Sequence, residues 1–487
     1  MTRKYDVIVV GGGAGGVSCA ALLAKWGLKP LLLEKNERVG GKQMSHFANG
    51  FTYQWGTMEL APGNGHPVEA VFRELGLESE LKLIPGGSRA QSYRGRSGKW
   101  NTVVAQEGKP QDPNGMFDQW ELDAGEREIA LQFLGEIFSL PKEKVDELED
   151  TTLDEYLTQH KVPAPVYSQC AFLCNAGLST PVDILPASEY IRIFQEVALG
   201  SSACKGGPGR LYGILGEAVK ANGGEVRTQA RVERITVEDG RVTGVVTEAG
   251  DEFKSPIVVS NAGIHPTVLK LVGEKHFDKS YLNHIKDLRP GGGFTGQRYI
   301  LSKPVLKHTH YTIYSDDAWW NMERYLKIRA GQVPDEVLVY AICYSNIDPD
   351  MAPPGKQILV AGTQCSGDPQ DKTIKTLWDK VDEMLFKIWP EMEPAIESKE
   401  PKGPAELSAL TRDQVLPGQG GEAEGMGRMM GQCGKYKPSP KTPIRGLFYV
   451  GHDADGVTGI GTKQAVSSGI NVARMVFRYH RMRQEVG

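Results

Sequence analysis

Asp6-Val-Ile-Val-Val10-Gly11-Gly-Gly-Ala-Gly-Gly16-Val17 decides the fold. Residues 7–10 form a continuous β-branched apolar run, the pattern of a strand buried on both faces. Gly11, Gly13 and Gly16 then fit G-x-G-x-x-G. Residues 17–26 read as a helix with Ala20, Ala21, Leu22, Leu23 and Ala24 as its apolar body, stopped at Gly27. Residues 29–33 read as a second strand, and it ends at Glu34. Each position has a physical task. Gly11 permits the tight turn, Gly13 admits a pyrophosphate against bare backbone, and Gly16 lets the helix pack close to the strand. The helix start, including Ala14 and Gly15, offers unpaired N–H groups and a positive dipole end to phosphates. Glu34 follows Gly16 by 18 residues, where a carboxylate can accept hydrogen bonds from ribose hydroxyls. Together these features specify a βαβ unit that binds a dinucleotide.

The rest of the chain gives this unit its setting. Its 487 residues suggest about three domains' worth of polypeptide at roughly 150 residues each. The 58 glycines, about 12% against a usual ~7%, have no period of three and mark turns and close backbone approaches. A net charge of -4 argues against a nucleic-acid-coating protein. No run of about 18 apolar residues predicts a membrane span, and the first residues lack the apolar core and cleavage site of a signal peptide. Seven cysteines without a C-x-x-C pair fit a reducing cytoplasm. Cys170 and Cys174 have no matching His or Cys pair nearby, so no metal site is expected.

Further on, 210–221 reads as a helix, and 225–227, 232–237, 241–246 and 257–262 read as strands, with Asp239-Gly240 as a hairpin turn. At the end, residues 446–450 form a strand leading into Gly451-His452-Asp453. Gly459-Ile460-Gly461-Thr462 then opens a helix over 463–479.

Gly40-Gly41-Lys42, placed just after Glu34 and Lys35, resembles the FAD-binding start of the amine oxidase and phytoene desaturase superfamily. The resemblance implies an α/β fold: a Rossmann-like FAD-binding domain of the glutathione-reductase or amine-oxidase type, with an interleaved α+β substrate domain. The FAD domain is then discontinuous, at 1–65, 205–265 and 415–487, and 66–204 with 266–414 form the substrate domain. It further implies that Lys35, Gly41 and Lys42 lie along the cofactor, and that Gly56, Thr57 and Met58 form the loop beside the flavin. Val232 would meet the adenine edge. Gly451 and Asp453 would belong to the last FAD motif, with Asp453 bonding the ribityl chain. Ile460, Gly461 and Thr462 would start the helix that faces the flavin's pyrimidine ring. Lys42 replaces the commoner Arg, Gln54-Trp55 replaces the usual acid before Gly56, and Asp453 sits one place later than in many relatives. His452 and Tyr53 are the candidate acid/base residues.

Asp348-Pro-Asp-Met-Ala-Pro-Pro-Gly355 resembles a stretch of phytoene-desaturase-like proteins. This implies an FAD-dependent oxidoreductase of carbon–carbon bonds, which would desaturate, saturate or isomerise an isoprenoid, carotenoid-like or cyclic substrate by hydride transfer at flavin N5. A flavin amine oxidase is the alternative, weakened because 459–462 lacks the aromatic residue such enzymes place there. A non-catalytic escort of prenylated GTPases is a third reading, opposed by the intact glycine and acid set. The implied partner is a small organic molecule, apolar or cyclic. The electron acceptor stays open between oxygen, a quinone and an electron-transfer protein, since no second complete G-x-G-x-x-G unit exists for a nicotinamide. Tyr311, Tyr314, Trp319, Trp320 and Tyr325 could line a pocket or fill a core. The basic, partly apolar stretch 474–483 suits either peripheral membrane contact or a helix end whose cations complement its dipole.

Overall fold

The computed structural model describes residues 5–54, 59–60, 66–105, 112–197, 202–454 and 459–486. Its central layer is a parallel sheet drawn from distant parts of the chain. We label its parts β1 (Val7–Val10), α1 (Ala14–Lys25), β2 (Pro30–Leu33), α2 (Pro208–Ala221), β3 (Glu225–Arg227), β4 (Val258–Ser260), β5 (Leu447–Tyr449) and α3 (Gly461–Val486). The strand order is β3-β2-β1-β4-β5. Ile8 sits opposite Leu31 on one side and Val258 on the other.

Both faces of this sheet are covered, which is why β1, β2 and β4 carry no polar alternation. Val7, Val9 and Leu32 pack under α1, α2 and α3 with Leu22, Leu211, Leu215, Val466 and Ala473. Ile8, Val10, Leu31 and Leu33 face the other way, against Ile235, Val245, Phe253 and Leu271. That second cover is an antiparallel sheet of Val232–Glu238, Arg241–Thr247 and Glu252–Lys254, joined by the helical segment Pro266–Val272 that carries Leu271. Its first turn has Asp239 and Gly240 at φ +48° and +68°, the left-handed pair a tight hairpin needs. Each fully buried Leu or Val on these faces contributes about 1.5–3 kcal/mol.

Gly16 shows how tightly α1 crosses β1. A Cβ there would stand 2.1 Å from the Gly11 carbonyl oxygen, so no larger residue fits without opening the crossing. The strand order changes direction at β1 and β4, so a crevice opens beyond their carboxyl ends.

A larger mixed sheet forms a separate layer. Its strand order is Ile396–Lys402, Gly293–Leu301, Gln357–Cys365, Val339–Cys343, His310–Ser315, Arg89–Arg94, Trp100–Ala105. Helix Ile374–Ile388 packs on it through Leu377, Val381 and Leu385. A helical group spanning 113–197 packs against Tyr93 and Tyr314. Within that group Thr152 and Glu155 form a reciprocal capping box before helix Leu153–Gln159.

The aromatic cluster is core. Tyr311, Tyr314 and Trp320 are buried, with Tyr311 edge-on to Trp389 and the Tyr314 hydroxyl accepting from Trp120 Nε1 at 2.9 Å. Cys170 and Cys174 are likewise buried in the helical group. No helix among the described residues is long and apolar enough to cross a membrane.

Candidate active site

A cleft runs across the carboxyl ends of β1, β2 and β4. Its floor is bare backbone. Gly11, Gly13, Ala14 and Gly15 line it from the β1–α1 turn. The cap position of α1 is Gly13, which provides no side-chain hydrogen bond, so the first-turn N–H groups of the helix point outward uncapped. Gly41 lies over this turn at φ +57°, and a Cβ on it would come 3.1 Å from Gly13 Cα. The Gly40 N–H donates to the Gly12 carbonyl at 2.8 Å, which fixes the second glycine pair above the first.

At one side Glu34 stands at the end of β2, buried. Its Oε2 accepts the Gly12 N–H at 2.7 Å, and its Oε1 accepts the Asn36 N–H at 2.8 Å and Nδ2 at 2.9 Å. A carboxylate has about four acceptor positions, so one on Oε2 is left for a ligand. Burial raises its pKa above the ordinary carboxylate value, and the N–H bonds oppose that. Val232 and Lys35 line the same side.

At the other side Lys42, Gly451, His452, Gly461 and Thr462 line the wall. The Lys42 ammonium donates to the carbonyls of Glu422 at 2.6 Å and Glu424 at 2.8 Å. Burial, and next Arg412, push its pKa down to about 8. His452 Nε2 lies 3.0 Å from Glu424 Oε2 and 3.2 Å from Arg428 Nη2. The rest of this buried network is Arg428 with Glu189 at 2.8 Å, Arg428 Nε with Glu424 at 2.9 Å, and Arg428 with Gln464 at 3.0 Å. Burial lowers His452 to about 4, so its ring is neutral near pH 7. Glu424 Oε1 accepts the Gly461 N–H at 2.8 Å, which places a carboxylate on the N-terminus of α3.

Other residues singled out by the sequence lie elsewhere. Gly16 is beneath the floor. Asp453 is buried behind the wall, where it accepts from the N–H groups of Met426 at 3.0 Å and Ile264 at 3.1 Å and pairs with Arg412 at 2.8 Å. Ile460 packs toward the helical group. Tyr53 belongs to a small core with Phe51 and Ile342, its ring 4.5 Å from the Arg298 guanidinium. Trp55, Gly56, Thr57 and Met58 lie outside the described residues. Arg412, Glu424, Arg428 and Glu189 were not singled out by the sequence. They belong to no glycine motif, and Glu189 meets Arg428 across 239 positions of chain. The Glu424–Arg428 spacing of four was the one visible signal.

A family model for flavin containing amine oxidoreductases matches residues 14–477. The chain belongs to this family. It is an FAD-dependent oxidoreductase acting on a small molecule. The chain is 24% identical over 378 residues to a 4,4'-diaponeurosporene oxygenase of Staphylococcus aureus, covering 72% of this chain and 73% of that protein. An oxidoreductase from Methanosarcina mazei superposes with a TM-score of 0.71 at 20% identity, covering 96% and 99% of the two chains. A putrescine oxidase bound to putrescine superposes at 0.69 and 15% identity, covering 98% and 100%. These likenesses give the fold: a Rossmann-like FAD-binding fold of the amine-oxidase type. The cleft fits FAD on its own terms, through its glycine floor, uncapped helix start and the acceptor position left on Glu34.

Proposed function

We propose that this enzyme oxidises, reduces or isomerises a carbon–carbon bond of an apolar isoprenoid-like or cyclic substrate. One observation carries the choice over amine oxidation: among the described residues, no Phe, Tyr or Trp lines the cleft, and 459–462 contains none. An amine substrate is commonly framed by aromatic rings beside the flavin. The likeness to a diaponeurosporene oxygenase supports the same reading. The exposed end of α3, with Arg481, Met482 and Arg483, supports uptake of an apolar substrate at a membrane surface.

When bound, FAD supplies the hydride acceptor or donor at N5. The chain's own residues then divide the work. Gly11, Gly13, Ala14 and Gly15 bind the phosphates through backbone N–H groups, with Gly16 keeping α1 close. Glu34 takes ribose, Val232 the adenine edge, and Gly41 shapes the floor above Gly13. Thr462 and the start of α3 orient the flavin end. The FAD-binding part comprises 1–65, 205–265 and 415–487, which contain all five strands of the parallel sheet. His452 handles the proton at the reacting end, since it faces the cleft in its neutral form.

Anaerobic mixing tests the substrate class. A long polyene or a cyclic enone, presented in both redox directions, should bleach the oxidised flavin band or restore it from the reduced protein. Primary amines should leave it unchanged. Rapid bleaching by an amine, with none by the other class, would overturn the proposal in favour of amine oxidation.

A further inference from the structure

Gln364 is fully buried, and neither its amide oxygen nor its amide nitrogen has a hydrogen-bond partner. No other side chain among the described residues combines two buried polar atoms with a partner for neither. Exchanging the two atoms would not help, since both lack one. Burying an unpaired amide is costly, so each such group in a folded chain asks for an explanation. Gln364 sits near the end of strand Gln357–Cys365 in the mixed sheet. Along this strand Leu359, Ala361 and Cys365 pack with helix Ile374–Ile388, while Ile358 and Val360 pack with Phe51 and Tyr53. Alternation puts Gln364 on the second face. Its same-face neighbours there are Phe294, directly across the ladder, and Gly362, where a Cβ would stand 2.6 Å from the Phe294 ring.

The amide lies against Gly292, where a Cβ would stand 3.3 Å from it. The Gly292 carbonyl accepts the Ala423 N–H at 3.0 Å, and Ala423 lines the cofactor cleft beside Glu424. Gly292 alone therefore separates the unpaired amide from that wall, at the end of the cleft lined by Lys42, His452 and Gly461. The backbone around Gly292 is unusual as well. Ser179 is buried at φ +48°, a conformation that favours glycine. Its carbonyl accepts the Gly292 N–H at 2.9 Å and would stand 2.5 Å from a Cβ on Gly292, so no other residue fits there. A π-helical turn, Leu173–Gly177, leads into Ser179. A π turn, a left-handed serine and an unpaired amide each cost stability, and such costs collect where a ligand is held.

We infer that the Gln364 amide hydrogen-bonds an oxygen of the substrate, so that this enzyme acts on an oxygenated polyene or cyclic molecule, an alcohol or a ketone, rather than on a pure hydrocarbon. The inference rests on the proposed carbon–carbon chemistry and narrows its substrate class. An amide suits either group: its N–H donates to a carbonyl oxygen, and its oxygen accepts from a hydroxyl. A hydrocarbon would leave both amide atoms unpaired in the loaded enzyme, and that penalty makes Gln364 the specificity-determining residue.

Gln364→Met keeps the side-chain volume and removes both polar atoms. Urea unfolding of the holoprotein gives the first test. The variant should unfold at a higher urea concentration than wild type and keep the same flavin spectrum, since an amide kept for a ligand is a burden on the fold. A lower midpoint would overturn the inference, because the amide would then be bonded within the folded chain. Matched probes give the second test: a polyene alcohol with its parent hydrocarbon, and a cyclic enone with its parent alkene. Each is mixed anaerobically with oxidised and with dithionite-reduced holoprotein, and the flavin band is followed. Wild type should prefer the oxygenated member of a pair. In Gln364→Met, half-maximal change should need about 10- to 100-fold more of that member, the usual effect of losing one buried hydrogen bond, with the hydrocarbon unaffected. Equal reaction of wild type with both members, or an unchanged preference in the variant, would overturn the inference. Failure of every probe in both redox states would refute the carbon–carbon reading itself, and the unfolding midpoint would still decide whether the Gln364 amide is unpaired.

Discussion

Glu34 serves the fold and, in the proposed function, the cofactor as well. Its two oxygens hold the Gly12 and Asn36 N–H groups, so the acid we propose as the ribose ligand also closes the turn beneath it. Glu34→Ala should therefore weaken FAD binding and also cost about 1–3 kcal/mol by stranding the buried Gly12 N–H. Flavin titration and urea unfolding read the two effects separately, and full occupancy at low free FAD would contradict the ribose role. His452 gives a pH prediction. Burial lowers it from 6.5 to about 4, so the unfolded chain binds its proton more readily between those values. Its contribution to stability is intact above pH 6.5 and is lost as pH falls toward 4. Glu424 works in the same direction. Burial opposes its ionisation, but Arg428 and His452 hold it well below the usual carboxylate range, so acid also protonates it at a cost. His452→Gln should flatten the slope of stability between pH 6.5 and 4 by up to about 3 kcal/mol in total, since a proton released between those two values is worth ~1.36 kcal/mol for each pH interval of one. Parallel unfolding curves for variant and wild type would rule out the buried neutral ring. At this scale the sequence showed only residues whose task is local. Glu34 was legible because a strand end and a glycine turn lie in one short stretch. The Glu189–Arg428–Glu424–His452 network was not, because long-range folding alone brings its members together.

Among elements, the β1–α1 turn was the most legible, since each glycine answers a local steric need. Gly13→Val would push a branched side chain toward Asn261, whose side-chain amide would lie 2.6 Å from even a single Cβ, and would fill the phosphate floor. The variant should purify without FAD, and one that retains the yellow cofactor would mean the floor is misassigned. Thr152→Ala is the matching control far from the cleft. Loss of the capping box should cost about 1 kcal/mol and lower the melting temperature, with FAD affinity unchanged. A change in affinity would show that the helical group communicates with the cofactor site. The start of α3 was less legible. A helix beginning near 463 suggested free N–H groups, but the helix begins at Gly461 and Glu424 occupies its first donor. That carboxylate comes from a glycine-rich stretch with no helical or strand pattern to place it.

At the scale of the whole molecule, three separated parts of the chain meet in one parallel sheet, and the cleft runs across the carboxyl ends of its strands. Glycine motifs announced each part, so the sheet could be read from sequence. The large mixed sheet could not, since its strands pair across intervals of up to 200 residues and more, such as His310 with Arg89. Its aromatic residues read equally well as pocket or core until their burial decided for core. Because the bound dinucleotide would bridge the separated parts, ligand binding and folding are coupled. FAD at 100 times its Kd should stabilise the apoprotein by about 2.7 kcal/mol, seen as a concentration-dependent rise in melting temperature. The most direct test of the central claim is the visible spectrum of the purified protein, with the released cofactor identified after denaturation. Bands near roughly 370 and 450 nm with FAD released are the predicted result. A colourless protein that also takes up no added FAD would contradict the account.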